Sequence, residues 1–345
     1  MDTSSAPRRA SVRARRCRRP WCSGAVLAIA TALAYGPTAT VPAHAFGPGP
    51  HKEITTAALK GFEKRSLDAM SAGNIDDTHF GAIQANDHGS YAERTRLHCD
   101  NADYLNAASY PRSRHQATGE LLACVESAVE RFHKAVTAAD KLVNSQGHIN
   151  TAHVALNRLC VYDDKPGRAK CEVFENLGRA WHPIEDFYSH SNWADQADTT
   201  RKIGVDNPPG LHQKGVAAFF GLRAYSRQAP AKWKADAAKA VDPKLTTGCV
   251  PGEYESDGTK VENCNGRVTH YDTNGKGGLS KDGEGSSRSR IGHNYQNARN
   301  GAITDIERQW KDFQGELLAT YASNGRGKKM VCALTHDAPT DSTCS

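Results

Sequence analysis

The stretch WHPIEDFYSHSNW, residues 181–193, sets His182, Asp186 and His190 four residues apart. On a helix four residues advance about 400°, so the three side chains fall within about 80° of one another. Imidazole and carboxylate sharing a face make a donor set for zinc. His182 and Asp186 are one turn apart and can share an ion. His190 lies about 12 Å from His182 along the axis, too far for all three to hold one ion on a straight helix. The spacing suits Asp186 between two ions, with His182 on one and His190 toward the other. Pro183 complicates this, because proline opens helices at their first position and would leave His182 just outside. The competing reading is one side of an ordinary helix with a satisfied His–Asp pair.

Two more stretches carry donors. FGPGPH, residues 46–51, follows Ala43-His44-Ala45, which fits a small-x-small cleavage site. Cleavage there frees the α-amino group of Phe46, which can close a five-membered chelate ring with the Phe46 carbonyl oxygen. His51 follows five residues on. An α-amino group titrates near ~8, so a metal displaces its proton at neutral pH at modest cost. The alternative is a disordered Gly/Pro terminus. NDHGSYAERTRLHCDNADY, residues 86–104, offers Asp87, His88, His98, Asp100 and Asp103, or is a polar loop before a helix.

Taken in order, these pieces resemble the zinc-dependent phospholipase C / P1 nuclease superfamily. The shared pattern is an N-terminal aromatic residue with His51 after it, then Asp87, then His98, then a helical HxxxD with another His. The HSNW continuation, and LSKD (279–282) with His293 beyond it, look like the HET-C and CinY-type branch. The resemblance implies an all-helical fold holding up to three zinc ions in a cleft. It implies a first zinc on His98, His182 and Asp186. A second would take the Phe46 amino and carbonyl groups and His51, with Asp186 as bridge, and a third His190 and His293. Asp87 falls at the position of the family's water-orienting carboxylate. Three departures stand out: Phe46 replaces the usual Trp, His190 follows Asp186 after four residues rather than six, and His293 is followed by Asn297 where the family has a carboxylate. A neutral amide is a poor zinc ligand, so the His190/His293 ion is the weak one. Asp272, Asp282 or His270 could substitute.

The elements that must position these donors are helical. Ile54, Ala58 and Phe62 recur at four-residue steps. Leu121, Val125, Ala128, Phe132, Ala135, Ala139 and Leu142 form one stripe, and Ile291 through Tyr321 another. Val154, Leu156 and Leu159 predict a further helix, as do Phe219, Leu222 and Tyr225. Strand alternation is scarce. The expected organisation is an export signal over 1–45, an all-α single multi-helix domain of phospholipase C / P1 nuclease type over 46–325, and a polar tail over 326–345. Residues 243–290, rich in Gly, Asn, Asp and Ser, predict a disulfide-stapled irregular insertion.

The signal is basic at its start, with an apolar run too short to span a bilayer. It holds seven Arg and one Asp of the chain's 44 Lys+Arg and 38 Asp+Glu, leaving 37 of each beyond it. Net charge near zero argues against a protein built to grip long nucleic acid through its phosphates. The eight cysteines beyond the signal predict a secreted protein with disulfides, simplest as neighbours: Cys99–Cys124, Cys160–Cys171, Cys249–Cys264 and Cys332–Cys344. Function narrows to three readings. The first is a secreted zinc-dependent phosphoesterase acting on a phosphodiester, such as a phospholipid headgroup linkage, through water activated at the metals. The second is a non-catalytic HET-C-like binding protein with a partial metal site, and the third a metal-free structural domain.

Overall fold

In the computed structural model, which describes residues 46–73, 79–272 and 277–345, the apolar stripes of the sequence become helices. The export signal expected over 1–45 lies outside the described residues. Helices of more than one turn are α1 (Pro48–Ala58), α2 (Lys64–Ser71), α3 (Arg114–Ala139), α5 (Ala169–His190), α7 (Pro230–Ala240), α8 (Asn294–Thr320) and α9 (Arg326–Thr335). Single turns α4 (Thr151–Val154) and α6 (Leu222–Tyr225) lie among them. Isolated bridges are the only β-type pairing among the described residues.

Helix α5 runs through the middle, packed on by α3 and α8. α3 starts cleanly because the Ser113 side chain accepts from Gln116 N–H while Gln116 reaches back to Ser113 N–H; such a cap contributes about 1 kcal/mol. Its stripe of Leu121, Val125, Ala128, Phe132 and Ala135 is fully buried, and Phe132 meets Phe313 of α8 edge-on at 5.6 Å. Each large apolar side chain taken from water there adds roughly 1.5–3 kcal/mol. All four neighbour disulfides are present, with Cα–Cα separations of 5.2–5.8 Å.

Three expectations change. Leu156 and Leu159 do not extend a helix: α4 ends at Val154, and Leu159 is 59% exposed. Residues 326–335 are not a polar tether but a helix that buries Met330, Ala333 and Leu334 against α8 and α2. Pro183 does not open a helix; it lies inside α5, which runs unbroken through His182 and His190. A proline there lacks the N–H that Arg179 O would accept. The Asn86 side chain donates to that oxygen instead, at 3.2 Å, and to Leu97 O at 3.1 Å. The gap left by Pro183 thus becomes the point where the segment carrying Asp87 docks on α5.

At the start of α5 a lysine is buried. Lys170 Nζ donates to Ser66 Oγ at 2.9 Å and His336 O at 2.6 Å, tying α5 to α2 and the end of α9. Burial outweighs the acidic residues Asp337 and Glu63 nearby and pulls its ammonium down to about 7. An unfolded lysine keeps its proton up to about 10.4. Between those values the unfolded chain binds the extra proton, so stability rises with pH across the window; below it both states are charged and the dependence stops. Lys170→Met is expected to flatten the thermal-stability profile between pH 7 and 9 relative to wild type, by roughly 2 kcal/mol.

Candidate metal centre

Twenty of the twenty-two side chains of α5 are buried, and the buried set includes His182, Glu185, Asp186 and His190. A helix buried all round is normally apolar. Here the polar groups face partners from four other parts of the chain. Gly178 allows the closest of these approaches: a Cβ at that position would lie 2.1 Å from Ala82 O. The turn it admits places Ile83 O 2.7 Å from His182 Nδ1. In the neutral ring Nδ1–H then donates to that carbonyl, and Nε2 is left to bind.

His182 Nε2 lies 2.9 Å from Asp186 Oδ2, 3.0 Å from His98 Nδ1 and 3.4 Å from Asp87 Oδ1. His98 Nδ1 is 3.0 Å from the same Asp186 Oδ2. Asp186 Oδ1 faces the other way, 3.1 Å from His51 Nε2 and 3.4 Å from Phe46 N. His51 Nδ1 pairs with Glu185 Oε2 at 2.6 Å, and Thr55 Oγ1 donates to the other Glu185 oxygen at 2.8 Å. Glu185 thus orients His51 as Ile83 O orients His182.

A third set lies beyond. Asp100 Oδ1 is 2.7 Å from His190 Nδ1 and 2.9 Å from His270 Nδ1, and the two imidazoles stack at 4.6 Å. Cys99 and Asn101, which flank Asp100, both take left-handed backbone, φ 55° and 59°. Such backbone costs roughly 1–3 kcal/mol at a non-glycine residue and collects at functional sites. His270 is admitted by Gly248, whose Cβ would lie 2.3 Å from His270 Cα.

The electrostatics follow from burial. Burial alone would strip the proton from His51, but Asp186 and Glu185 outweigh it and raise its pKa well above the usual range. His98 is raised likewise, with Asp186 overcoming burial. Burial pushes Asp186 up, yet His182 and His51 hold it well below ordinary carboxylates. Asp100, despite burial, is drawn to about 2 by His190 and His270. For His190 burial prevails and lowers the pKa. Glu253, carried on the Cys249–Cys264 loop, is pushed well up by burial and then by Asp100 and Asp186.

The fit to divalent metal rests on two observations. Within each of the sets His51/His182/Asp186, Asp87/His98/His182 and Asp100/His190/His270, the donor atoms lie within 4.8 Å of one another. Tetrahedral zinc with bonds of ~2.0–2.1 Å has donors about 3.3 Å apart, close to the contacts above. Secondly, His51 Nε2, which faces Asp186, and both ring nitrogens of His190, which faces Asp100, are buried without an aligned hydrogen bond. Orphans of this kind are rare and call for an explanation such as a bound ion. Imidazole nitrogens and carboxylate oxygens are donors that a divalent metal such as zinc accepts.

Of the expected donors, Phe46, His51, Asp87, His98, His182 and Asp186 come together. His190 belongs to a separate set, and Asp186 does not link it to His182. His293 does not join it: it is exposed at the start of α8. The next residue explains this. Buried Asn294 bonds Gln196 and Arg288 and fixes the helix start with His293 turned outward. The ring beside His190 is that of His270, one of the three substitutes the sequence offered, and the carboxylate beside both is Asp100. Asp272 instead accepts from Gly277 N–H. The sequence reading missed Glu185 and Glu253; a carboxylate adjoining Asp186 was the available signal for the first, and none marks the second.

Compared with protein-family models, with curated proteins and with solved structures, the chain gives no match. Among the described residues no helix is long and apolar enough to cross a membrane.

Proposed function

We propose that the protein is a secreted, zinc-dependent phosphodiesterase of the phospholipase C / P1 nuclease type. The single observation that carries this reading is Asp186, whose two oxygens face two different donor sets. A buried carboxylate shared in this way suits paired dications better than one ion or none. Phe46, His51 and Asp186 would hold one ion; His98, His182 and Asp186 a second; Asp100, His190 and His270 a third. Zinc bound there would polarise a phosphoryl oxygen and lower the pKa of water.

The chain's own groups account for the rest. Asp87, 3.4 Å from His182 Nε2 at the edge of the second set, is the carboxylate suited to orient the attacking water and take its proton. Glu185 and Ile83 O keep His51 and His182 in the tautomers that present Nε2. The substrate is a phosphodiester, with a phospholipid headgroup linkage favoured over long nucleic acid by the near-zero charge. A non-catalytic binding protein with a partial metal site is the second reading, favoured by Asn297 and by the four-residue step from Asp186 to His190; Asp100 and His270 beside His190 weigh against it.

The test is elemental analysis of protein whose N-terminus is confirmed as Phe46, followed by hydrolysis of a chromogenic phosphodiester and of phosphatidylcholine. Two or three zinc ions per chain with diester hydrolysis support the reading. One ion and no hydrolysis favours the binding protein. No ion after zinc loading sinks both.

A further inference from the structure

LSKD, residues 279–282, contributes no donor to the three sets, yet each of its residues touches a piece of chain that does. Leu279 N–H donates to Thr269 O at 3.0 Å and Ser280 N–H to His270 O at 2.8 Å. Lys281 N–H donates to Ser189 O at 3.0 Å, and its buried Nζ to Ser191 O at 2.8 Å and Leu279 O at 2.9 Å. The Ser189 and Ser191 carbonyls are at the C-terminal end of α5, where carbonyls lack helical partners and carry partial negative charge. Asp195, 3.4 Å from Nζ and bonded to Arg288, completes the anchor. Asp282 is thereby set at a fixed point, and its Oδ1 accepts Gly47 N–H at 2.7 Å across 235 residues of chain.

We infer that Asp282 is a positioning residue that aims the Phe46 carbonyl oxygen into the metal centre. The Gly47 N–H and the Phe46 C=O belong to one planar trans peptide, so fixing the direction of one fixes the other. The Phe46 amino nitrogen is rigidly joined to that plane through one Cα. Gly47 is also the residue before α1, whose first helical position is Pro48. A carboxylate there is favoured by the dipole of α1, adding to the hydrogen bond. The terminus, whose default is disorder, is therefore held by a residue that Lys281 locks to α5 and that Leu279 and Ser280 lock to the His270 segment. This inference rests on the proposed metal centre.

The experiment is zinc stoichiometry and affinity in a zinc buffer for wild type, Asp282→Ala and Asp282→Asn, each with the Phe46 terminus confirmed. Asp282→Ala is expected to bind one ion about 10–100-fold more weakly, the usual effect of losing a group that orients a ligand. Asp282→Asn keeps an oxygen that accepts Gly47 N–H and is expected to retain most of the affinity. In protein extended by one residue before Phe46, where the chelate is already lost, Asp282→Ala is expected to cost nothing further. Full affinity in Asp282→Ala overturns the inference. So does equal loss in Asp282→Asn and Asp282→Ala, which would make Asp282 a ligand. Wild type that binds no zinc fails differently: it removes the metal centre itself. Asp282 lies at the surface, and far-UV circular dichroism verifies that each variant is folded.

Discussion

Asp186→Asn is expected to drop the zinc content from three ions to one, leaving only the ion on Asp100, His190 and His270. The reason is geometric: Oδ1 serves the Phe46/His51 side and Oδ2 the His98/His182 side, so one substitution weakens two sites. An amide of the same shape carries no charge and is a poor zinc donor. Diester hydrolysis is expected to fall roughly 10³-fold or more, equivalent to about 4 kcal/mol of lost transition-state stabilisation. Stability of the metal-free protein falls as well. His51 and His98 hold their protons because of Asp186, and removing a buried counter-charge costs about 3–5 kcal/mol. The sign with pH can be stated. Raised imidazole pKa values contribute stability to the metal-free fold that is full below ~6.5 and is lost as pH rises through the folded values. Zinc needs those same nitrogens deprotonated, so loading releases protons and its affinity climbs with pH. In Asp186→Asn both slopes shrink. Elemental analysis beside a thermal melt across pH 5–8 checks each part, and three ions retained in the variant would refute the bridging role.

How much of this was legible before the fold? The four-residue beat of His182, Asp186 and His190 was, because helical phase depends only on local sequence. So were the neighbour disulfides, since short loops close at the least entropic cost. The long stripes of α3 and α8 were legible for the same reason as the beat. The third donor set was legible only as a choice: His270 was one of three substitutes for the partner of His190, and Asp100 one of five donors in residues 86–104. His270 and Asp100 meet His190 through irregular chain, held by single bonds such as His270 N–H to Cys249 O and Asn101 N–H to Gly248 O. No periodicity marks such contacts. His293 looked suitable from its place after LSKD, but the bonds of Asn294 turned it outward. Pro183 misled because proline is judged by what it breaks. The side chain that repairs the break, Asn86, is 97 residues away in sequence. Glu253 gave no signal at all: a glutamate in a polar loop is ordinary until the loop folds its carboxyl inside.

Extending the chain by one residue before Phe46 is expected to remove one ion while leaving the fold and the other two ions in place. The extension turns an amine into an amide, whose nitrogen has no lone pair to give at neutral pH. His51 and Asp186 remain, but two protein donors hold zinc far less well than four. The contrast with the side chain makes the test specific. Phe46 is buried, its ring edge-on to His51 at 6.0 Å and to Tyr295 at 6.5 Å. Phe46→Leu should therefore cost about 1–2 kcal/mol of stability through lost packing, yet keep the full zinc content, because the chelating atoms are backbone. A backbone change that removes an ion and a side-chain change that does not would together place the amino group in the metal centre. The reverse pattern would make Phe46 a packing residue and the terminus a bystander. If the first pattern holds, the ion at Phe46 binds only to protein in which Phe46 is the first residue.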